Sequence, residues 1–510
     1  MKTKLLTGLC LSLLSHGFAA IPDSTFLPAN GFISLAGGPQ TPVMQLAGGF
    51  RFQFIIRTGE TLPDQSTMRA NFDFTGFVPL YAADSGVLSI NHELAPGGVT
   101  MMNMHFDIPT KRWIRSNESV IDFSSVLATG GNCSGTVTPW NTVITCEEGI
   151  LSTDFDSNGY NDGGWAIEID PKTRTIVNNQ KLWALGNFKH ENAVVSANRR
   201  TAYEGADSPT GYLFKFVADS AENLSSGKLY AYKGPKNGNG NWVELKNSTP
   251  EERNNVNLQC DTLGATTFAG IEDVEIGYLD SLVYLAVKGS SESCVYRFLD
   301  SDPLTGGSVQ NFEVFVGGPG VSYDLNTANG PVTQAWGVGN DNLAFDDQGN
   351  LFVLQDGSQN HLWVIGKNHT QVTPDVKIFL QSPAGSEPTG ITFSPDFRFL
   401  FMSFQHPSAS NSSTYVSDIN GDKISFDKDI ALVIGRNEVW GLACENNVSI
   451  NSTPTQCCFY SSGQIESHAA LEPDKYLELN AATNIELNPG FISPAGSTFT
   501  TFLDGCSNLN

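Results

Sequence analysis

The chain has 510 residues, with 29 Lys and Arg against 53 Asp and Glu, and a formal net charge of −24 at pH 7. That excess excludes nucleic acid and anionic membranes as partners, because both repel it, and it suits divalent cations instead. Charged residues make up only 16% while glycine (50) and phenylalanine (32) are abundant, a mixture that favours short strands and tight turns over long helices.

At the N-terminus, Lys2 and Lys4 precede a mostly apolar run over 5–14, and Gly17-Phe18-Ala19 places small residues where a signal peptidase reads. Residues 1–19 therefore read as a secretory signal cut after Ala19, and the run is too short to span a bilayer. The expectation is an exported protein, secreted or periplasmic and monomeric, with residues 20–510 as a single domain. No other segment is long and apolar enough to span a membrane. Removing the signal takes away Cys10 and leaves eight cysteines, which an exported protein can pair. Cys260 with Cys294 is one candidate pair, and Cys444, Cys457 and Cys458 lie close together; connectivity stays open.

The next segments carry chemistry. The stretch from Asn132-Cys133-Ser134-Gly135 to Thr145-Cys146-Glu147-Glu148 sets a thiol and two adjacent carboxylates among turn-forming and strand-forming residues. A thiolate with carboxylates suits a transition metal beside harder, oxygen-bound cations. The same stretch also reads as a buried strand pair with two structural cysteines. Asp154, Asp156 and Asn158 alternate as oxygen donors, with Gly159 at the sixth position, like the first half of a calcium loop. Trp165 occupies the twelfth position, where a closing Glu belongs, so the loop is either a partial calcium site or an unliganded polar turn.

Residues 221–262 are rich in Asn, Gly, Lys and Ser and read as an insertion or long loop, with a short polar helix around 249–255. Beyond them, 342–353 and 389–402 repeat one design: alternating apolar residues, an acidic turn, then a β-rich run. Segments 166–176 and 193–216 are more degenerate copies. Recurrence at such intervals argues for an all-β fold, a β-propeller of six blades with loop insertions and a few short helices. Asp341, Asp346, Asp347 and Asp356 read as structural turn acids, with Asp341 or Asn342 able to reach the channel. Residues 470–510 have weak strand character and a polar end.

A propeller channel gathers side chains from loops distant in sequence, so its ligands should be scattered and acidic. Glu93, Cys133, Glu147, Glu148, Glu191, Glu272 and Glu387 fit that description.

Several segments, in this order, resemble the PhoX family of secreted alkaline phosphatases: Asn91-His92-Glu93, the Cys133 to Glu148 stretch, and Gly164-Trp165-Ala166-Ile167-Glu168-Ile169-Asp170-Pro171. Phe188-Lys189-His190-Glu191 follows, then Glu387-Pro388-Thr389-Gly390 with Phe393-Ser394-Pro395-Asp396 and Gln405-His406-Pro407. The resemblance spans residues 40–410. It implies a propeller holding ferric iron and calcium, with Cys133 as the thiolate on iron and Glu148, Glu191 and Glu272 as shared carboxylates through which catalysis runs. Glu93 and Glu387 would serve the calcium side, and the choice between Glu147 and Glu148 stays open. His92 and His190 would support ligands rather than bind metal, and Cys146 would be buried.

The implied activity is hydrolysis of small phosphate monoesters outside the cytoplasm. No serine or histidine nucleophile is then needed, and no Gly-x-Ser-x-Gly motif occurs. Two departures stand out. Family members usually carry a twin-arginine signal, and this chain has none. The family also places Arg-Pro before a ligand glutamate, where this chain reads Gly270-Ile271-Glu272. Glycine cannot fork onto phosphate oxygens, so Lys189 or Arg297 would have to supply the contact. Two alternatives remain from the residues: a non-catalytic, calcium-stabilised binding propeller, and a calcium-dependent lactonase or esterase propeller, which would leave Cys133 without a role.

Overall fold

A computed structural model describes residues 26–27 and 31–505, apart from positions 358, 443, 455 and 504 and the side chain at 81. The expected leader over 1–19 lies outside the described residues.

Six strands form an inner ring: β1 (Phe72–Ala82), β2 (Asn132–Val137), β3 (His190–Val195), β4 (Ile271–Ile276), β5 (Asn340–Phe345) and β6 (Glu387–Phe393). Each touches the next, and β6 returns to β1. Each is also the first arm of an antiparallel hairpin, whose second arms are Ser85–His92, Val143–Glu147, Thr201–Ala206, Val283–Val287, Leu351–Gln355 and Phe399–Gln405. Further strands extend each hairpin outward into a blade. Leu351–Gln355, His361–Ile365 and Phe399–Gln405 are buried at every residue. They lie mid-blade with both faces covered, so their sequences read as unbroken apolar runs rather than alternations.

The arrangement is propeller-like, with one complication in counting blades. Gly238–Leu245 pairs with Ser308–Gly317, which fuses the sheets built on β3 and β4 into one. Part of the segment expected as an insertion causes this. Within 221–262, Asn223–Lys233 and Gly238–Leu245 are strands of the β3 sheet rather than a loop. Two short helices follow. The first, Pro250–Asn254, starts on a Thr249–Glu252 capping box with Pro250 in its first turn.

The ring is stitched shut by the beginning of the chain. Phe50–Arg57 pairs with Ile430–Arg436 in the β6 sheet, and Gln45–Leu46 pairs with Val376–Gln381 in the β5 sheet. After the ring, Cys444–Ile450, Cys458–Ser467, Tyr476–Ala481, Asn484–Leu487 and Thr498–Phe502 pair in parallel. Cys458 stands opposite Glu478 and Gln464 opposite Asn484, a coil of 20 residues. Ile450, Ile465, Leu477 and Leu479 form its own small core. This coil differs in kind from the blades, where the sequence suggested only weak strands.

The Cys260–Cys294 pair does not form. Both thiols are free and buried, Cys260 in the core beside Val256 and Cys294 in a different core beside Tyr296. Cys457 and Cys458 are bonded to each other. Among the described residues no helix is long and apolar enough to cross a membrane.

Candidate metal centre

All six inner hairpins share one irregularity. Register shifts fall between Phe72 and Thr75, Asn132 and Gly135, His190 and Ala193, Ile271 and Asp273, Asn340 and Leu343, and Thr389 and Ile391. A bulge bends the strand and re-aims a side chain out of the ladder. Here it falls where each inner strand begins, at one end of the ring. Two positions per hairpin gain access to the channel: one at the start of the inner strand and one just past its partner. In the first five hairpins these are Asp73 and Glu93, Cys133 and Glu148, Glu191 and Asp207, Glu272 and Lys288, and Asp341 and Asp356. With Glu387 from β6 they line a cavity of about 90 Å³.

The donors converge closely. Glu148, Glu191 and Asp207 each offer an oxygen within 4.8 Å of the others, and so do Glu191, Glu272 and Asp341. Lys288 Nζ lies 2.8 Å from Asp207 Oδ2 and 2.5 Å from Glu272 Oε1. At the mouth, Lys189 Nζ donates to Glu148 Oε1 at 2.9 Å. Gln405 Nε2 donates to Glu93 Oε2 at 2.7 Å, and His406 Nε2 stands 3.8 Å from Glu387. The Cys133 thiol faces the His190 carbonyl oxygen at 3.1 Å.

Polar ties hold the inner strands around this cavity. Asn91 Nδ2 donates to the carbonyls of Cys133 (2.7 Å) and Ser134 (3.1 Å), which explains the asparagine of Asn91-His92-Glu93. His92 spends its ring nitrogens on Thr100 Oγ1 (2.8 Å) and the Ala70 carbonyl (3.1 Å). His190 spends its own on the Gly186 carbonyl and the buried Glu204 carboxylate. Asn342 accepts from the Gly390 amide at 2.6 Å and donates to Ser134 Oγ at 3.2 Å, while Asp273 accepts from the Leu343 amide at 2.6 Å.

So many carboxylates in one small space disturb one another. Burial, then the charge of Glu93, pushes Asp73 well above the usual carboxylate range. Burial and Glu272 do the same to Glu191, burial and Asp207 to Glu272, and burial and Glu272 to Asp341. Glu387 is pushed up to about 10 by burial and Asp356. Burial, reinforced by Glu191, holds the Cys133 thiol well above its ordinary value. Asp207 alone in this group is lowered: burial would raise it, but Lys288 prevails. Burial would lower Lys288 in turn, and the Glu272 and Asp207 charges overcome it and raise it. Nine carboxylates, one thiol and one lysine thus meet with far too little positive charge. Bound cations offset such repulsion, and oxygen donors suit hard cations while a thiol suits a transition metal. The residues fit a metal cluster.

The structure brings together Glu93, Cys133, Glu148, Glu191, Glu272 and Glu387. It separates Glu147 from them. Successive strand residues point to opposite faces, so Glu147 turns away from the channel and pairs with Lys181, at 2.7 Å through Oε1 and 2.9 Å through Oε2. Arg297 is also elsewhere: it sits on Cys294–Asp300, the third strand of its sheet, and pairs with Glu313 over the Phe315 ring. Asp154 and Asp156 gather with Asp162 within 4.8 Å, and Asn158 Nδ2 donates to Asp156. Asp341 lines the cavity, the channel position left open for it, and Asp356 does so contrary to the turn role expected of it, whereas Asp346 does close a turn by accepting from the Gln348 and Asn350 amides. Asp73, Asp207 and Lys288 escaped sequence reasoning altogether. Their signal is positional, the residue just past the second arm of each hairpin or at the start of its first.

The family model described as "Alkaline phosphatase PhoX" matches residues 100–408. Among solved structures, Pseudomonas fluorescens PhoX in complex with vanadate, a transition state analogue, aligns at 20% identity with a TM-score of 0.63. The alignment covers 80% of this chain and 98% of that one, and at this identity it bears on the fold. The periplasmic gluconolactonase PpgL of Pseudomonas aeruginosa aligns at 12% identity and a TM-score of 0.36, over 73% of this chain and 89% of that one. No curated protein matches the chain in sequence. The family match covers more than half of the chain and runs through five of the six inner strands; this chain belongs to the PhoX family of alkaline phosphatases, hydrolases of phosphoric monoesters.

Proposed function

We propose that the protein hydrolyses small phosphate monoesters outside the cytoplasm, as a monomer, with ferric iron and calcium held in the channel cavity. The observation that carries this reading is the convergence of nine carboxylates and one thiol on about 90 Å³. Cys133 would hold iron. Glu148, Glu191 and Glu272 would be shared ligands, with Glu93 and Glu387 on the calcium side and Asp73, Asp207, Asp341 and Asp356 completing the set. When bound, the metals would neutralise charge on the phosphate and activate an oxygen nucleophile.

The chain's own cations orient the substrate. Lys288 projects among the acids, and Lys189 stands at the mouth with its side chain 41% exposed. Lys288 also accounts for the missing family arginine. A Cβ at Gly270 would meet Lys288 Cγ at 3.0 Å and Cε at 3.2 Å. The glycine at the arginine position leaves the space that the lysine stem fills. We assign Lys288 to phosphate, as a point charge rather than a planar fork, with Lys189 admitting the anion.

Elemental analysis of natively produced protein, with p-nitrophenyl phosphate turnover, tests the reading. Iron together with calcium, both lost with activity in Cys133→Ala, is the expected result. Calcium alone, no turnover and no effect of the substitution would replace it with a calcium-stabilised binding propeller.

A further inference from the structure

The acidic cavity adjoins a second, wider depression of about 750 Å³. Glu93 and Glu148 belong to both. The chain runs straight from these acids into the groove wall, through Leu94 and Pro96 after Glu93 and through Ile150 and Leu151 after Glu148. Leu127 and Phe155 complete the apolar lining. Exposure is high for such residues: 49% at Leu127, 44% at Ile150, 49% at Leu151 and 78% at Phe155. Single exposed apolar residues are ordinary, but a contiguous set beside a polar site marks a binding surface.

Leu127 adds a backbone observation. It sits at φ 66° and ψ −62°, with the Ala128 amide donating to the Val126 carbonyl at 2.9 Å. This is the rare, strained γ-turn with positive φ. A leucine is an unfavourable residue for it, yet the turn presents that side chain at the groove.

Resting on the phosphatase reading above, we propose that this groove binds the alcohol portion of the substrate, and that preferred esters carry an aryl or medium-chain alkyl group rather than a sugar. Continuity decides the occupant. A phosphate held by Lys288, with Lys189 behind Glu148 at the mouth, puts its ester oxygen at the boundary of the two depressions. The organic group then lies along the apolar wall. The size of the groove falls within that of ordinary small-ligand sites, which are also predominantly apolar.

The test uses unreactive n-alkylphosphonates from ethyl to octyl, titrated calorimetrically into metal-replete protein. The expected result is a Kd that falls roughly two- to fourfold per methylene. In Ile150→Ser/Leu151→Ser the dependence flattens while ethylphosphonate binds within about twofold of wild type. Both positions are half-exposed, so the variant keeps its fold, and Phe155→Ser gives an independent second wall. Equal affinity for ethyl and octyl compounds, or the same slope in the variants, overturns the proposal. Ethyl phosphate turnover, read in parallel, addresses the phosphatase separately. Turnover with a flat series removes the groove alone, whereas a steep series without turnover upholds the groove and removes the phosphatase.

Discussion

Replacing Lys181 with methionine strands a carboxylate whose one cationic partner among the described residues is that lysine. Glu147 is fully buried and Lys181 is 4% exposed at the side chain. The carboxylate also accepts from the Trp165 amide at 3.1 Å and the Gly130 amide at 3.3 Å, and Lys181 donates to the Asp162 carbonyl at 2.6 Å. Breaking one side of such a pair costs about 3–5 kcal/mol. Unfolding a chain this long carries an entropy of about 1 kcal/mol/K, so Tm should fall by about 3–5 °C. Burial pushes Glu147 above its ordinary value of 4.5 even with Lys181 present, and removing the lysine pushes it further. The folded variant then keeps a proton that the unfolded chain releases above pH 4.5, so the deficit grows as pH rises, by about 1.4 kcal/mol per unit until the folded value is passed. Lys181→Met/Glu147→Gln should recover most of the loss. Thermal denaturation at pH 5 and pH 8, with metal content measured on each variant, checks this. An equal deficit at both pH values, or a double variant no more stable than the single one, would refute the argument. Loss of metal in the double variant would return Glu147 to the ligands.

Lys288→Met should lower kcat/KM for p-nitrophenyl phosphate by about 10²–10³-fold, the usual effect of removing one donor from a developing anion, with Lys288→Arg recovering part of it in steady-state assays. His361 is buried and held near 4 by that burial, against an ordinary 6.5. The unfolded chain therefore takes up a proton first as pH falls. The stability that neutral His361 contributes is complete above about pH 6.5 and is lost towards pH 4, by up to about 3 kcal/mol. Urea unfolding at pH 7, 5.5 and 4.5 should show that slope, and His361→Phe should reduce it. Gly390 has φ +50°, and a Cβ there would lie 2.2 Å from the Thr75 amide nitrogen and 2.5 Å from the Asp73 carbonyl oxygen. Since both obstacles are backbone, Gly390→Ala should cost at least about 1–3 kcal/mol in thermal denaturation.

The hairpins at 342–353 and 389–402 were legible because each condenses an inner strand, its turn and the second arm into one short segment. Cys133 and Glu148 were legible because a thiol followed by two adjacent carboxylates is an unusual donor set. Lys288 and Asp207 were not. Each sits about one hairpin away from its channel neighbour, and an isolated charged residue after a strand looks like surface until the register is known. Glu147 and Glu148 show another limit. Alternation along a strand allows only one of two neighbours to face the channel, and the choice depends on Lys181, 34 residues from Glu147. The parallel coil after residue 444 escaped notice because its partners lie a full turn of chain apart, beyond the reach of local periodicity. The free Cys260 and Cys294 show that an even count of cysteines says nothing about which thiols share a core.

The closure of the ring by Phe50–Arg57 against Ile430–Arg436 also sets a chronology. The cavity draws on every hairpin from Asp73 to Glu387, and the last of these lacks its outermost strand until the start of the chain returns to it. A growing chain therefore holds isolated pairs of acids until the residues up to Arg436 have been made. Joining the two ends is a long loop closure, slow and late among folding events. Without cations the complete ring holds buried acids that retain protons, Asp73, Glu191, Glu272 and Asp341 all being pushed well above the ordinary carboxylate range. If the channel holds cations as proposed above, their capture would follow this closure, since only the closed ring brings all the donors together.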